Sequence, residues 1–251
     1  MNRWKLEYLR YLRDMGESFL LLPEKHPTNV ALYTENVRGG QKRSDIVQNA
    51  PYELSNKPEM LSVAQKEQLL NDFHSQIKDC TKCPLHSSRT RFVFGCGSAD
   101  ADIIFIGEAP GAEEDRQGIP FVGRAGKLLD RILAAAGLKR SDVYIANVLK
   151  CRPPQNRDPL PAEEQVCLPY LYRQIEIIQP KVICCLGRVS AQALLKTRQK
   201  MSELRGIVHE FRGIPMVVTY HPAALLRNDR LKRPTWEDFQ FMLELIKERK
   251  N

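Results

Sequence analysis

The sequence predicts an α/β fold, in which a three-layer α/β/α domain with a central four-stranded parallel sheet follows an N-terminal helical extension. From Asp102 onward, short apolar strand patterns alternate with helical patterns. This alternation is typical of a parallel sheet that is covered by helices on both faces. Each predicted strand also ends on residues suited to chemistry, and an open parallel sheet binds its ligands beyond the carboxyl ends of its strands.

Residues 1–60 are predicted to form an extension of unknown role. Residues 3–20 place apolar side chains at every third or fourth position, which predicts a helix. Residues 23–60 are rich in proline, glycine and polar residues and show little periodicity, which is typical of a linker. Residues 61–251 are expected to form the main domain, and its first helix is predicted over residues 62–77.

Strands and helices alternate through this domain. Short apolar runs predict the strands, which cover residues 103–106, 143–146, 182–186 and 216–219. Apolar residues at helical spacing predict the helices, which cover residues 125–136, 162–178, 189–196 and 236–249. Gly137 is expected to cap the first of these helices, because glycine adopts the left-handed conformation of a helix C-cap.

Composition favours a soluble protein with a polyanionic partner. The chain has 251 residues, of which 43% are apolar and 27% charged, as is ordinary for a globular protein. No apolar run approaches the ~20 residues that cross a bilayer, and the charged N-terminus lacks the apolar region of a signal peptide. We therefore expect a cytoplasmic protein. Its net charge of +8 suits nucleic acid, and an indifferent basic surface is an equal alternative.

Four of the seven cysteines predict a metal or cluster site. A disulfide framework is not expected in a cytoplasmic protein. Cys80 and Cys83 form a CxxC pair, Cys151 lies just beyond a strand end, and Cys167 lies on a predicted helix. Four thiolates suit zinc or a 4Fe–4S cluster, and the spacing does not separate the two. No ligand role is expected for the remaining cysteines, Cys96, Cys184 and Cys185.

Three strand ends carry polar side chains that are expected to share one crevice. Glu108 follows the first strand, Asn147 the second and His221 the last. The glycine-rich stretch over residues 107–126 would let a flat ligand approach the main chain, and it lacks the GxxxxGK[ST] pattern of a phosphate-binding loop. Ordinary structural roles are the alternative: a helix-dipole partner for Glu108, a loop cap for Asn147 and a turn for His221.

Taken together, these motifs resemble the type-4 (family 4) uracil-DNA glycosylases, the iron–sulfur branch of the uracil-DNA glycosylase superfamily. The resemblance covers about residues 70–250 and excludes residues 1–60. The matching motifs are Cys80-x-x-Cys83, Gly107-Glu-Ala-Pro-Gly111, Glu114-Asp115, Gly118-x-Pro-Phe-Val-Gly123, Asn147, Lys150-Cys-Arg-Pro-Pro154, Cys167 and His221-Pro222.

The resemblance implies a DNA repair enzyme that hydrolyses the N-glycosidic bond of deoxyuridine and leaves an abasic site. It also implies that Cys80, Cys83, Cys151 and Cys167 hold a 4Fe–4S cluster with a mainly structural role. The expected partner is uracil-containing DNA, single- or double-stranded, with no membrane involved. We expect a monomer that is cytoplasmic and associates with the nucleoid when bound to DNA.

The resemblance also suggests how uracil is recognised. His221 would donate a hydrogen bond to the uracil O2 as negative charge develops there. Asn147 would read the N3–H and O4 edge, which cytosine reverses. Phe121 would stack on the extruded base, and Glu114 would lie near C5, where it excludes the methyl group of thymine.

The group that activates the water stays open at this point. The best-known uracil glycosylases carry an aspartate where this chain has Ala109. The Ala109 amide and the Glu108 side chain would meet the pyrimidine or its water, so Glu108 is the first choice, with no conventional base as the alternative. Residues 152–166 contain no histidine, which excludes the covalent histidine mechanism of a related branch.

DNA contacts are expected on the face formed by the strand ends. Arg152, Arg157 and Arg227 are the first candidates for phosphate contacts, and Leu226, with Leu225 or Arg227, is a candidate wedge for the gap left by the flipped base. Further phosphate candidates are Arg89, Arg91, Lys150 and Arg230.

Two other functions are compatible with part of this pattern. A non-catalytic iron–sulfur protein that binds nucleic acid would keep the pocket without turnover. A zinc-stabilised hydrolase of free nucleotides would keep the four thiolates but have no iron chromophore.

Overall fold

The computed structural model of the protein describes residues 61–248. The helix predicted over residues 3–20 and the linker predicted over residues 23–60 lie outside the described residues. None of the helices within the described range is long and apolar enough to cross a membrane.

A six-stranded mixed sheet forms the centre of the domain. Its strands are β1 (Cys96–Gly97), β2 (Ile103–Gly107), β3 (Tyr144–Asn147), β4 (Val182–Leu186), β5 (His209–Phe211) and β6 (Ile214–Thr219). Their order across the sheet is β1-β3-β2-β4-β6-β5. The four central strands are parallel, as the sequence predicts, and β1 and β5 pair antiparallel at the two edges.

The sequence predicts four strands, so the predicted number is too low by two, the edge strands β1 and β5. β5 joins β6 through a two-residue turn, because Phe211 pairs with Ile214. Both turn residues, Arg212 and Gly213, have positive φ angles of 52° and 79°. Such angles match the twist of a tight hairpin. Strands of two and three residues carry too little periodicity to be found from sequence.

Helices cover both faces of the sheet. The α-helices are α1 (Val63–Ile77), α2 (Ala112–Gln117), α3 (Arg124–Ala135), α4 (Pro161–Ile178), α5 (Arg188–Leu195), α6 (Met201–Leu204), α7 (Pro222–Leu225) and α8 (Lys232–Glu248). Short 3₁₀ helices cover Pro84–Ser87, Arg140–Asp142, Pro154–Asn156 and Asp229–Leu231. All five helices predicted within the main domain are present, and α8 begins four residues earlier than predicted.

The sheet separates two hydrophobic cores, which confirms the three-layer α/β/α class. Ile104 and Ile106 of β2 face a core that includes buried side chains of α1, α4 and α5. Ile103 and Phe105 face the opposite core, built with α3 and α8. Phe105 stacks there on Phe239 of α8, with the ring centroids 5.5 Å apart. Alternate residues of a strand point to opposite faces, so a continuous apolar run serves both cores.

The register of the parallel strands positions the site. Gly107, the last residue of β2, pairs with Asn147, the last residue of β3. Leu186 of β4 pairs in the same way with Thr219 of β6. All four central strands thus end at one edge of the sheet, where the loops that follow them meet.

Candidate active site

Asn147 presents a buried acceptor that the protein leaves unpaired. The residue is 2% exposed, and its Oδ1 has no hydrogen-bond partner among the described residues. A Cβ on the facing Gly107 would lie 2.4 Å from that oxygen. Buried polar atoms are nearly always hydrogen-bonded. An acceptor left open beside a glycine therefore indicates a place for a ligand donor.

Phe121 borders the same space. The ring atom Cζ of Phe121 would lie 2.6 Å from a Cβ on Gly107, and the ring centroid is 5.4 Å from that of His221, at an interplanar angle of 33°. The glycine thus borders the Asn147 amide and the Phe121 ring, and the Phe121 ring in turn lies beside the His221 imidazole. We call this space the Gly107 pocket, defined by Gly107, Phe121, Asn147 and His221.

His221 enters the Gly107 pocket as a neutral hydrogen-bond donor. It follows β6 and begins α7, where its Nδ1 accepts a hydrogen bond from the Ala223 amide at 3.1 Å. In the neutral ring the proton then lies on Nε2. Burial lowers the pKa of His221 to about 4; the charge of Arg227 lowers it further and that of Glu114 opposes the shift. The imidazole therefore stays neutral at physiological pH.

Glu108 directly follows β2 and is partly buried. Burial raises the pKa of its carboxyl to about 7; Asp158 adds to the shift, Arg188 opposes it and Glu164 adds a smaller increase. Both protonation states are therefore populated near neutral pH. The adjacent Ala109 is partly buried against the core that faces α1 and α4.

Glu114 holds the loop that carries Phe121. Its Oε1 accepts hydrogen bonds from the amides of Val122 and Gly123, both at 2.8 Å. The second oxygen would lie 2.8 Å from a Cβ on Gly111. One carboxylate oxygen therefore orders the start of α3, while its charge acts on His221.

A clamp that the sequence does not predict fixes Phe121. This residue has a left-handed φ of 53°. The Arg140 guanidinium donates to the Phe121 carbonyl at 3.0 Å and to the Pro120 carbonyl, and it forms an ion pair with Asp130 at 2.9 Å. A Cβ on Gly126 would lie 1.9 Å from the Phe121 carbonyl oxygen, so α3 packs directly against this backbone. The contact between Arg140 and the Phe121 loop carries no sequence signal, because Arg140 binds that loop through main-chain carbonyls.

The side chains around Glu108 also escape sequence reasoning. Arg188 begins α5 and forms an ion pair with Asp158 at 2.8 Å. One charge belongs to a helix and the other to a loop, and both act on the Glu108 carboxyl. Arg188 and Asp158 are brought together only by the tertiary fold, so their ion pair could not be predicted from the sequence.

The four predicted cysteine ligands are close enough to interact electrostatically. Electrostatic interactions link Cys151 with Cys83 and Cys80, and Cys167 with Cys151 and Cys83. Within residues 61–248, no group of three or more His, Cys, Asp or Glu side chains is arranged to hold a single metal ion. Cys184 and Cys185 lie apart from the quartet, buried on opposite faces of β4.

Hydrogen-bond donors surround three of these sulfurs. The Tyr170 hydroxyl donates to Cys80 at 3.1 Å, Arg89 donates to Cys151 at 3.3 Å, and the Lys150 amide donates to Cys167 at 3.3 Å. Donors of this kind stabilise anionic sulfur and are a regular feature of iron–sulfur sites. The chemistry of this set therefore fits a thiolate-bound cluster.

The residues predicted to contact DNA differ in whether neighbouring side chains already bind them. Arg157 forms a bidentate pair with Glu163, at 2.8 and 2.6 Å, and Arg152 donates to the Asn156 side chain at 2.8 Å. Arg227 is exposed beyond α7. These three side chains lie at or near the surface, the first two already engaged by neighbours.

Four candidates have other positions. Lys150 is fully buried, so a phosphate contact for it is wrong. Leu225 is also fully buried and cannot serve as a wedge without leaving the core, and Leu226 is partly buried against the core that faces α8. Arg89 is held by the Cys80 carbonyl at 2.6 Å and by Cys151, which ties it to the cysteine site.

Comparison with known proteins supports one family. The model described as the uracil DNA glycosylase superfamily matches residues 94–240. A type-4 uracil-DNA glycosylase of Archaeoglobus fulgidus is 47% identical over 184 residues, which cover 70% of this chain and 92% of that protein. A type-4 enzyme of Thermotoga maritima is 44% identical over 72% of this chain and 97% of its own length. A type-5 enzyme of Pyrobaculum aerophilum is 29% identical over 62% of this chain and 83% of its own length.

Proposed function

The chain belongs to the type-4 branch of the uracil-DNA glycosylase superfamily, and we propose that the Gly107 pocket is the place where it excises uracil. The reaction hydrolyses the N-glycosidic bond of deoxyuridine in DNA, releases uracil and leaves an abasic site. The observation that supports this location most strongly is the unpaired Oδ1 of Asn147, buried between a glycine and two aromatic rings.

Asn147 would discriminate uracil from cytosine. The N3–H of uracil can donate to Oδ1, whereas N3 of cytosine is an acceptor and would leave Oδ1 unpaired. A buried polar group without a partner costs about 1–3 kcal/mol, and a site built around such a bond strongly rejects a base that cannot make it.

His221 would stabilise the leaving uracil anion. Because Nδ1 accepts from the Ala223 amide, Nε2–H is the group available to the uracil O2. A pKa of about 4 keeps the ring neutral. A neutral imidazole is too weak an acid to give up its remaining N–H proton as the bond breaks, and its hydrogen bond strengthens as charge builds on the oxygen. His221 therefore acts as an electrophile, without transferring a proton.

The remaining pocket residues would hold the flipped base. Phe121 offers a ring face beside His221 for stacking, and the Arg140 clamp keeps that ring in place. Glu114 would lie near C5 of the base and exclude thymine, and the Ala109 amide would meet the base edge. Glu108 would orient and deprotonate the attacking water in its ionised form.

A 4Fe–4S cluster held by Cys80, Cys83, Cys151 and Cys167 is the cofactor that we propose. Its support is the type-4 membership together with four electrostatically linked thiols and three sulfur-directed donors. When bound, the cluster supplies cross-linking of the loops around it, and hydrolysis needs no electron transfer from it. Residues 61–251 would then form the glycosylase domain, acting as a monomer on single- or double-stranded DNA.

The proposed function is tested with oligonucleotides that carry one uracil or one thymine. We expect the wild-type protein to release uracil and leave thymine. His221→Ala should lower the single-turnover rate roughly 10²–10³-fold, as expected when one donor to a developing oxyanion is lost, with DNA affinity nearly unchanged. His209→Ala, on the edge strand, is the control. Absence of uracil release by the wild type would favour the non-catalytic alternative.

The Glu108 carboxyl should control the pH dependence. With a pKa of about 7 and an active ionised form, the rate should rise with pH through this value. Glu108→Gln should be slow and lack the inflection, whereas Glu113→Gln, at an exposed ion pair with Arg116, should keep it. An inflection that persists in Glu108→Gln would assign the titration to another group.

Thermal stability provides a second test of the raised pKa of Glu108. A folded-state pKa above the unfolded one means that stability is lost as pH rises through about 7. Glu108→Gln should therefore melt above the wild type in alkaline buffer and match it in acid.

Gly107→Ala should close the pocket. Its Cβ would overlap Asn147 Oδ1 and the Phe121 ring, so kcat/KM should fall about 100-fold, as for other small misplacements of reacting groups. Gly213→Ala is the control: it costs about 1 kcal/mol for its positive φ, with no atom within 4 Å of the added carbon. Equal activity of the two variants would remove Gly107 from the pocket.

Replacement of Cys151 should remove the cluster. Cys151→Ser is expected to purify without iron or visible colour and to be less stable. Cys184→Ala, a buried cysteine on β4, should lose stability while keeping iron and colour. Zinc in place of iron in the wild-type protein, or an iron content unchanged in Cys151→Ser, would contradict the assignment.

A further inference from the structure

Lys150 is a fully buried cation between the pocket and the cysteine site. Its Nζ donates to the Asn147 carbonyl at 3.0 Å and to the Gln174 side chain at 2.6 Å. Among residues 61–248, no carboxylate lies within ion-pair distance of it. Burying a charge without an opposite charge is costly, and an anionic neighbour would offset that cost.

The same residue reaches the cysteine site. Its amide donates to the Cys167 sulfur at 3.3 Å, its ammonium interacts electrostatically with Cys167, and Cys151 is the next residue in the chain. Its carbonyl accepts from the Val93 amide at 2.9 Å. Lys150 thus contacts a proposed cluster ligand through its main chain and the uracil-reading residue through its side chain.

Gln174 holds the ammonium in this position. This fully buried amide accepts from Lys150 through Oε1, and its Nε2 donates to the Phe94 carbonyl at 2.9 Å and to the Tyr144 hydroxyl at 3.1 Å. With both ends of the amide engaged, the ammonium has little freedom to move away from Asn147.

We propose that Lys150 is a positioning residue that supplies the counter-charge of the iron–sulfur cluster and fixes the main chain at Asn147. The inference rests on the proposed function, since it takes the cluster and the uracil-reading role of Asn147 as given. Four thiolates give the buried centre net negative charge, and the ammonium offsets it. The side chain that offsets this charge is thus the same one that donates to the Asn147 carbonyl.

The test compares Lys150→Met with Lys66→Met. Lys66 is also buried and donates to a main-chain carbonyl, that of Ile178, at 3.0 Å, but it contacts neither site. Lys150→Met should make the reduction potential of the cluster more negative, because a nearby positive charge favours the reduced state. It should also lower kcat/KM for uracil roughly 10–100-fold, the usual effect of losing an outer-shell partner. Lys66→Met should lose stability alone.

A double-mutant cycle separates positioning from general damage. If Lys150 acts through Asn147, adding Lys150→Met to Asn147→Ala should cost almost no further activity. Additive losses, or a potential that matches that of Lys66→Met, would overturn the proposal. Lys150→Gln, which keeps a donor without the charge, serves if the Met variant does not fold; it should shift the potential while losing less activity.

The two proposals fail in different ways. Zinc in the wild-type protein would overturn both the cofactor assignment and the counter-charge role. The double-mutant cycle of Lys150→Met with Asn147→Ala would still decide the positioning role. Wild-type activity in Asn147→Ala would instead remove that residue from uracil reading and overturn the positioning role.

Discussion

The pairing of Gly107 with Asn147 at the ends of β2 and β3 is the constraint on which the site depends. This register places an amide directly above a residue without a side chain, and the resulting space is bounded by Phe121 and His221. A shift of one residue between the strands would turn Asn147 toward the opposite face. Backbone pairing, set by two apolar strands, therefore decides where a base can be read.

Burial acts on the two titratable groups of the site in opposite directions. It raises the pKa of Glu108 to about 7 and lowers that of His221 to about 4, because desolvation disfavours the charged form of each. The histidine is kept as a neutral donor, and the carboxyl is poised to change state near neutral pH. In the proposed mechanism, burial would thus provide both an electrophile and a base.

The features that depend on local pattern could be predicted from the sequence, and those that depend on tertiary contact could not. The central strands and long helices follow from apolar runs and helical spacing, and their shared edge places Asn147 and His221 together. The edge strands β1 and β5 are too short to show periodicity. Arg140 acts on main-chain carbonyls, and Lys150 resembles a surface lysine until the fold buries it.

Buried charge links these parts into one system. A lysine enclosed in the core is destabilising by itself, as is a group of buried thiolates, and in the proposed arrangement each would offset the cost of the other. The Asn147 carbonyl accepts from that lysine, so the proposed geometry of base reading would depend on the charge at the cysteine site. A cluster that takes no part in hydrolysis would then still determine whether the pocket is correctly built, because its charge would stabilise the residue that orients the amide.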